Sequence, residues 1–125
     1  MSVSGLPPYD PNNIFARILR GEIPSRKVFE DEWVLAFHDI NPQAPTHILV
    51  IPKGPYCSFA DFSTQAPDAQ IAGFMRAVGK IAHDLGLEAA GYRLLANMGA
   101  DSGQEVAHFH VHLFAGKPLG RMISG

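Results

Sequence analysis

A single cysteine, Cys57, excludes an internal disulfide and any zinc site built on paired cysteines. No stretch approaches the ~20 consecutive apolar residues of a membrane-spanning helix. The opening MSVSGLPPYDPNN has no basic start followed by an apolar run, so no secretory signal is read there and a cytoplasmic location is the default expectation. Strong charge of either sign is missing too. Ten Lys and Arg against twelve Asp and Glu leave a net charge of −2, which offers no electrostatic footprint for nucleic acid or an anionic membrane. A small phosphorylated ligand stays open, because it needs only a local site. No repeat or linker divides the 125 residues, so one domain is expected. A chain of this size buries roughly two-thirds of its unfolded surface and needs no staple. The hydrophobic share of 46% is slightly high for the size and suits an oligomer interface.

What the chain does have is HFHVHLF, His108 to Phe114. Histidines stand at every second position, with Phe109, Val111 and Leu113 alternating. A period of two is that of a β-strand, whose successive side chains point to opposite faces. The pattern predicts three imidazoles on one face and three apolar side chains on the other. Around it the chain reads in order. Residues 1–11 carry Pro7, Pro8 and Pro11 and are expected to be a flexible lead-in to a domain spanning 12–125. Asn12 or Asn13 caps a short helix through IFARILR that stops at Gly21, with Ile14, Phe15, Ile18 and Leu19 as its apolar stripe. Lys27–Asp31, Trp33–Asp39 and Thr46–Lys53 read as strands. A helix begins near Pro67, presents Ile71, Phe74, Met75, Val78, Ile81 and Leu85, and ends at Gly86. Tyr92–Asn97 and Ala107–Gly116 complete five strands. The expected class is α+β: a five-stranded, mostly antiparallel sheet with two helices packed on one face.

Spacing alone leaves three readings of the histidine row. The first is a solvent-facing strand that happens to carry histidines. The second is a metal site, since histidines at i and i+2 are able to chelate one ion. His108 and His112 would, however, lie roughly 13 Å apart along a straight strand, so a single ion reaches all three only across a bulge. The third is nucleophilic and acid–base chemistry. Neutral imidazole, with a reference pKa of ~6.5, attacks phosphorus well near neutral pH and forms an intermediate that water hydrolyses.

His108-Phe-His-Val-His112-Leu-Phe resembles the histidine triad pattern, His-φ-His-φ-His-φ-φ with φ apolar. FHDINPQAPTHILVIPK (Phe37 to Lys53) is similar to that superfamily's nucleotide-side segment. IFARILRGEIPSRKVFED and GQEVAHFHVHLFAGKPLG resemble the branch of histidine triad nucleotide-binding proteins, and the likeness runs from residue 12 to about 120. It implies a sheet continued across a two-fold homodimer. It also implies hydrolysis of a purine nucleoside 5′-phosphoramidate to the nucleoside monophosphate and an amine, with no cofactor and no metal.

The resemblance assigns the nucleophile to His110, the phosphate contact to His112, and orientation and proton relay to His108 and His47. Asp39 would hold the ribose hydroxyls and Ile40 would lie against sugar and base. Asn97, Gly103 and Gln104 would face the phosphate. Ile14, Phe15, Ile18 and Phe37 would line the base pocket. Three positions depart from the pattern. IFAR lacks the cysteine pair of some relatives, Glu105 stands beside the leaving group where some carry serine, and Pro55 replaces another histidine. Rival expectations are a dinucleoside polyphosphate hydrolase or nucleotidyl transferase of the same superfamily, and a nucleotide-binding regulatory partner. The bland alternatives are loop capping by Asp39 and turn holding by Asn97.

Overall fold

The computed structural model describes residues 3–123. The first two residues of the expected lead-in and the last two of the expected domain lie outside the described residues. The elements run α1 (Ile14–Leu19), β1 (Lys27–Glu30), β2 (Val34–His38), β3 (Thr46–Pro52), α2 (Phe59–Gln65), α3 (Asp68–Asp84), β4 (Arg93–Leu95) and β5 (Val111–Ala115). The five strands form one sheet in the order β1-β2-β3-β5-β4, and each neighbouring pair is antiparallel.

Strict alternation along the central strands splits the apolar residues between the two faces. Val34 and Ala36 of β2, Ile48 and Val50 of β3, and Leu113 of β5 join Phe62 of α2, with Phe74, Val78 and Ile81 of α3, in the larger core. Leu35, Phe37, Leu49 and Ile51 face the other way and meet Phe15, Ile18 and Leu19 of α1. Helix α1 therefore lies across the sheet from α2 and α3. The expectation that all helices share one face is corrected here: a short helix with one apolar stripe covers whichever sheet face the following chain leaves bare, and composition does not say which.

Helix α1 is capped by Asn13, whose side chain accepts from the Ala16 N–H at 2.9 Å. It ends before Gly21, whose φ of +78° suits a residue without Cβ. Helix α2 makes three helices rather than the expected two. Its signal was local: Ser58-Phe-Ala-Asp61 is a capping box, with Asp61 accepting from the Ser58 N–H and the Ser58 hydroxyl accepting at the helix N-terminus. The run is too short to show a helical period.

The histidine strand is also shorter than expected. β5 begins at Val111, so His108 and His110 precede it on irregular extended backbone. β3 pairs with β5 only as far as Val50 and Val111. Beyond that, Phe109 donates its N–H to the Tyr56 carbonyl in the loop after β3. Pro52 and Pro55 in that stretch have no N–H to extend a ladder. The alternation of side chains survives nonetheless, with Phe109 packed among Phe62 and Phe74 at ring distances of 4.9 and 5.3 Å.

Residues 3–11, expected as a flexible lead-in, make specific bonds in the structure. The Val3 N–H donates to the Gln104 carbonyl at 2.8 Å, and the Ser58 hydroxyl donates to the Gly5 carbonyl at 2.7 Å. Among the described residues, β4 leaves one sheet edge unpaired. Beside it an apolar groove of about 350 Å³ opens between α2, α3 and β4, with Phe59, Met75 and Leu94 exposed along it.

Two glycines of α3 give opposite predictions. A Cβ on Gly73 would lie 2.6 Å from Cδ1 of Trp33, whereas one on Gly79 meets nothing within 4 Å. Gly79→Ala should stabilise by up to about 1 kcal/mol through helix propensity. Gly73→Ala should destabilise by about 1–3 kcal/mol through overpacking. Chemical denaturation of both variants checks this, and stabilisation by both would refute the packing argument.

Candidate active site

The register of β3 against β5 builds the centre of the site. Thr46 to Val50 pair with Ala115 to Val111, which sets His47 opposite Phe114 and Leu49 opposite His112. His47 and His112 are then diagonal neighbours on the α1 face, within side-chain reach. Their rings meet through His47 Nε2 and His112 Nδ1 at 2.9 Å. Phe114, two residues beyond His112, stacks parallel to it and lies 4.2 Å from the His47 ring. His110 turns to the same side, with its ring 5.0 Å from Phe15 of α1 and 5.0 Å from His112.

The backbone decides which nitrogen of each ring carries hydrogen, because a carbonyl only accepts and an N–H only donates. His110 Nδ1 sits 2.7 Å from the His108 carbonyl and must donate to it. Its Nε2 is left with a free lone pair. The Gln43 N–H donates to His47 Nδ1 at 3.1 Å, so the hydrogen of neutral His47 is on Nε2. That Nε2–H donates to His112 Nδ1, which leaves the His112 hydrogen on Nε2. His108 Nε2 lies 2.8 Å from the Pro52 carbonyl and donates there. His108 Nδ1 therefore accepts, and its partner at 2.6 Å is the Tyr9 hydroxyl. The row holds one imidazole with an open lone pair, His110, beside one with an open N–H, His112.

Burial keeps these rings neutral. Desolvation pushes His108 down to about 4 from the ordinary 6.5 despite the Pro52 carbonyl. Desolvation likewise takes His112 to about 4, helped by the neighbouring His110 and His47. Desolvation lowers His110, against the pull of the His108 carbonyl and of Asp39 and Glu105. His47 is lowered for the same reason, with Asp39 opposing.

His110 and His112 open into a cavity of about 130 Å³ that is also bounded by Phe15, Leu49, Asn97, Gly103, Glu105 and Val106. A second cleft, of about 470 Å³, is lined by Pro24, Ser25, Arg26, His38, Asp39, Ile40 and Pro42. Asp39 connects the larger cleft to the histidines. Its Oδ2 is 3.4 Å from His47 Nε2, while Oδ1 accepts from the Asn41 N–H at 2.8 Å. The loop-capping alternative thus accounts for one carboxylate oxygen and leaves the other at the site. Ile40, beside it, is 95% exposed.

The structure brings His110, His112, Asn97, Gly103, Glu105 and Phe15 to the small cavity and Asp39 and Ile40 to the larger cleft. His47 reaches the site through His112 and Asp39, and Phe37 is buried against Phe15. Ile18 packs partly buried against the same cluster, and Ile14 turns outward. Gln104 is the correction. Its side chain is 1% exposed: Oε1 accepts from the Gly99 N–H, and Nε2 donates to the Cys57 and Val106 carbonyls. Every polar atom of the carboxamide is spent on protein, so it shapes the loop and does not face a phosphate. A glutamine next to glycine in a polar loop looks the same in sequence whichever way it points. Three contributors were not anticipated: Tyr9, the Gln43 N–H and Phe114. Only Phe114 had a sequence signal, as the next alternate position after His112.

Asp39, His47 and His112 also place one ligand atom each within 4.8 Å of one another. Coordination through His47 Nε2 would require removing its hydrogen while Nδ1 still accepts from Gln43, which leaves an anionic imidazole or a broken hydrogen bond. The trio fits a proton-ordered chain better than a ligand set.

Residues 20–119 match the HIT domain family. A HIT-like protein of Azospirillum brasilense is 64% identical over 116 residues, covering 93% of this chain and 95% of its own length. The purine nucleoside phosphoramidase of Escherichia coli K12 is 45% identical over 111 residues, covering 89% and 92%. A histidine triad protein from Clostridium difficile superposes with a TM-score of 0.78 at 46% identity, covering 88% of this chain and 95% of its own. A histidine triad nucleotide-binding protein from Candida albicans gives 0.74 at 31%, covering 91% and 85%.

The depressed histidines predict a pH dependence of stability. An unfolded histidine titrates near 6.5, whereas folded His108 and His112 do so at about 4. Between these values the unfolded chain binds more protons, so stability is complete above about pH 6.5 and declines toward pH 4. His83 shifts the opposite way through its bond to Glu88 but is exposed and remote from the row. Thermal unfolding at pH 7.5, 6 and 5 should show Tm already dropping between the first two, before carboxylates protonate. A Tm constant down to pH 5 contradicts the assignment.

Proposed function

The chain belongs to the HIT domain family, and we propose that it hydrolyses the P–N bond of purine nucleoside 5′-phosphoramidates through a nucleotidyl intermediate on His110. One observation carries the proposal: His110 Nδ1–H is held by the His108 carbonyl at 2.7 Å while Nε2 keeps its lone pair at a cavity of about 130 Å³. The relative named a purine nucleoside phosphoramidase supports the substrate class.

In this reading the α-phosphoryl group occupies the small cavity. His110 Nε2 attacks phosphorus, and the nitrogen of the substrate, already protonated, departs as a neutral amine. The His108 carbonyl stays hydrogen-bonded to Nδ1–H as the ring gains positive charge. His112 offers its Nε2–H to a phosphoryl oxygen, and His47, through Nε2–H on His112 Nδ1, keeps that tautomer in place. Water then attacks phosphorus, the P–Nε2 bond breaks and returns its electron pair to Nε2, one proton of the water passes to solvent, and the nucleoside monophosphate leaves. Asp39 and the exposed Ile40 line the larger cleft, where a carboxylate suits ribose hydroxyls and an apolar side chain suits sugar and base. Asn97, Gly103 and Glu105 line the small cavity and would border the phosphoryl group there. No cofactor enters this scheme. The partner of the unpaired β4 edge and its apolar groove is a second copy of the chain, continuing the sheet across a two-fold axis.

His110→Gly should lower kcat by about 10³-fold or more. AMP binding should be retained, measured by calorimetry beside an adenosine phosphoramidate assay. Unchanged turnover removes His110 as nucleophile. Diadenosine polyphosphate, assayed in parallel with the wild-type enzyme, should be the poorer substrate, and the reverse ranking overturns the P–N assignment. Leu94→Asp on the exposed β4 edge should shift sedimentation from dimer toward monomer. A wild-type protein that sediments as a monomer refutes the dimer.

A further inference from the structure

We propose that Tyr9 is a positioning residue for the nucleophile: from the N-terminal strap its hydroxyl locks His108, whose carbonyl in turn aims His110. The inference rests on the reading of His110 as nucleophile.

His108 is fully buried and held at three points. Its Nε2–H donates to the Pro52 carbonyl at 2.8 Å, its Nδ1 accepts from Tyr9 at 2.6 Å, and its own carbonyl accepts from His110 Nδ1–H at 2.7 Å. The first two fix the ring, and the ring fixes the backbone from which the third departs. The Tyr9 ring also packs edge-on against His108, with centroids 5.7 Å apart. Without the hydroxyl, Nδ1 becomes a buried acceptor with no partner, and a buried group in that state recruits water or moves. Burial raises the tyrosine pKa, so the hydroxyl stays protonated and remains a donor.

The strap that delivers Tyr9 is tied down upstream. Gly5 is buried at φ +72°, and a Cβ there would come within 2.6 Å of Gln104 Oε1. Its carbonyl accepts from Ser58, and Val3 bonds to Gln104. The same Gln104 holds the loop that borders the small cavity, through the Gly99 N–H at 2.9 Å. Strap, loop and histidine row are thus one hydrogen-bonded unit. Tyr9 does not line the cavity, so its effect falls on the orientation of His110 and not on substrate contact.

Tyr9→Phe keeps the ring and removes the bond. With an adenosine phosphoramidate, kcat should fall about 5- to 30-fold, the loss expected from one buried hydrogen bond. KM should stay within about twofold, since no substrate contact is removed. Nitrogen-15 NMR of the histidine rings gives a readout independent of activity. The His108 Nδ1 signal should move to that of an unbonded acceptor while His112 is unchanged. A variant with lower Tm but wild-type kcat overturns the proposal, as does an unmoved Nδ1 signal. A wild-type protein that turns over no phosphoramidate overturns the functional reading instead, and the NMR comparison still tests the Tyr9–His108 bond.

Discussion

A buried imidazole has two nitrogens to satisfy, and each ring of this site satisfies at least one of them on the protein. For His110 and His47 the partner is backbone, the His108 carbonyl and the Gln43 N–H. For His112 it is His47. The remaining nitrogen of His110 and of His112 faces open space, one as acceptor and one as donor. Three side chains of the same type thereby acquire different chemistry with no change of residue. His108, satisfied at both nitrogens, offers neither to the cavity. Burial reinforces the arrangement, because it holds the rings neutral and makes any unsatisfied nitrogen expensive.

The sheet makes this possible by separating its two faces. Phe109 and Leu113 sink into the core under α2 and α3, so the residues between them have no freedom to rotate away. On the opposite face, Phe15 and Leu49 wall the histidines and exclude most water. Short α1 therefore matters beyond its length. It carries Phe15 to within 5.0 Å of His110, and the strap ahead of it carries Tyr9 to His108. The loop after β4 closes the third side, held from within by Gln104.

Much of the fold was legible because it is periodic. The alternation in the histidine row gave its two faces, β2 and β3 were read as strands from their apolar, β-branched and aromatic content, and the 3.6-residue pattern located α3. Helix α2, too short to show a period, was not legible that way: it announced itself only through Ser58 and Asp61. Three-residue β4 was found, inside the expected Tyr92–Asn97 strand. The side of the sheet taken by α1 was not legible either, since an amphipathic helix fits any bare apolar face. Within the site, residues carried by a strand take the face that alternation gives them, and His47 and His112 share one. The direction of Gln104 was not legible, because a loop residue has no periodicity to reveal whether it points in or out.

The sequence by itself determined the inventory: three alternating imidazoles, a fourth at the start of β3, an acid before it, and a class of sheet to carry them. It determined these because side-chain direction along a strand follows from backbone geometry alone. The tertiary structure decided which nitrogen of each histidine carries hydrogen. The hydrogen on a ring nitrogen depends on the nearest backbone group, and those groups, on Gln43, Pro52 and His108, arrive through loops and register that no local pattern encodes. It also decided that a tyrosine 99 residues away in the chain belongs to the histidine row.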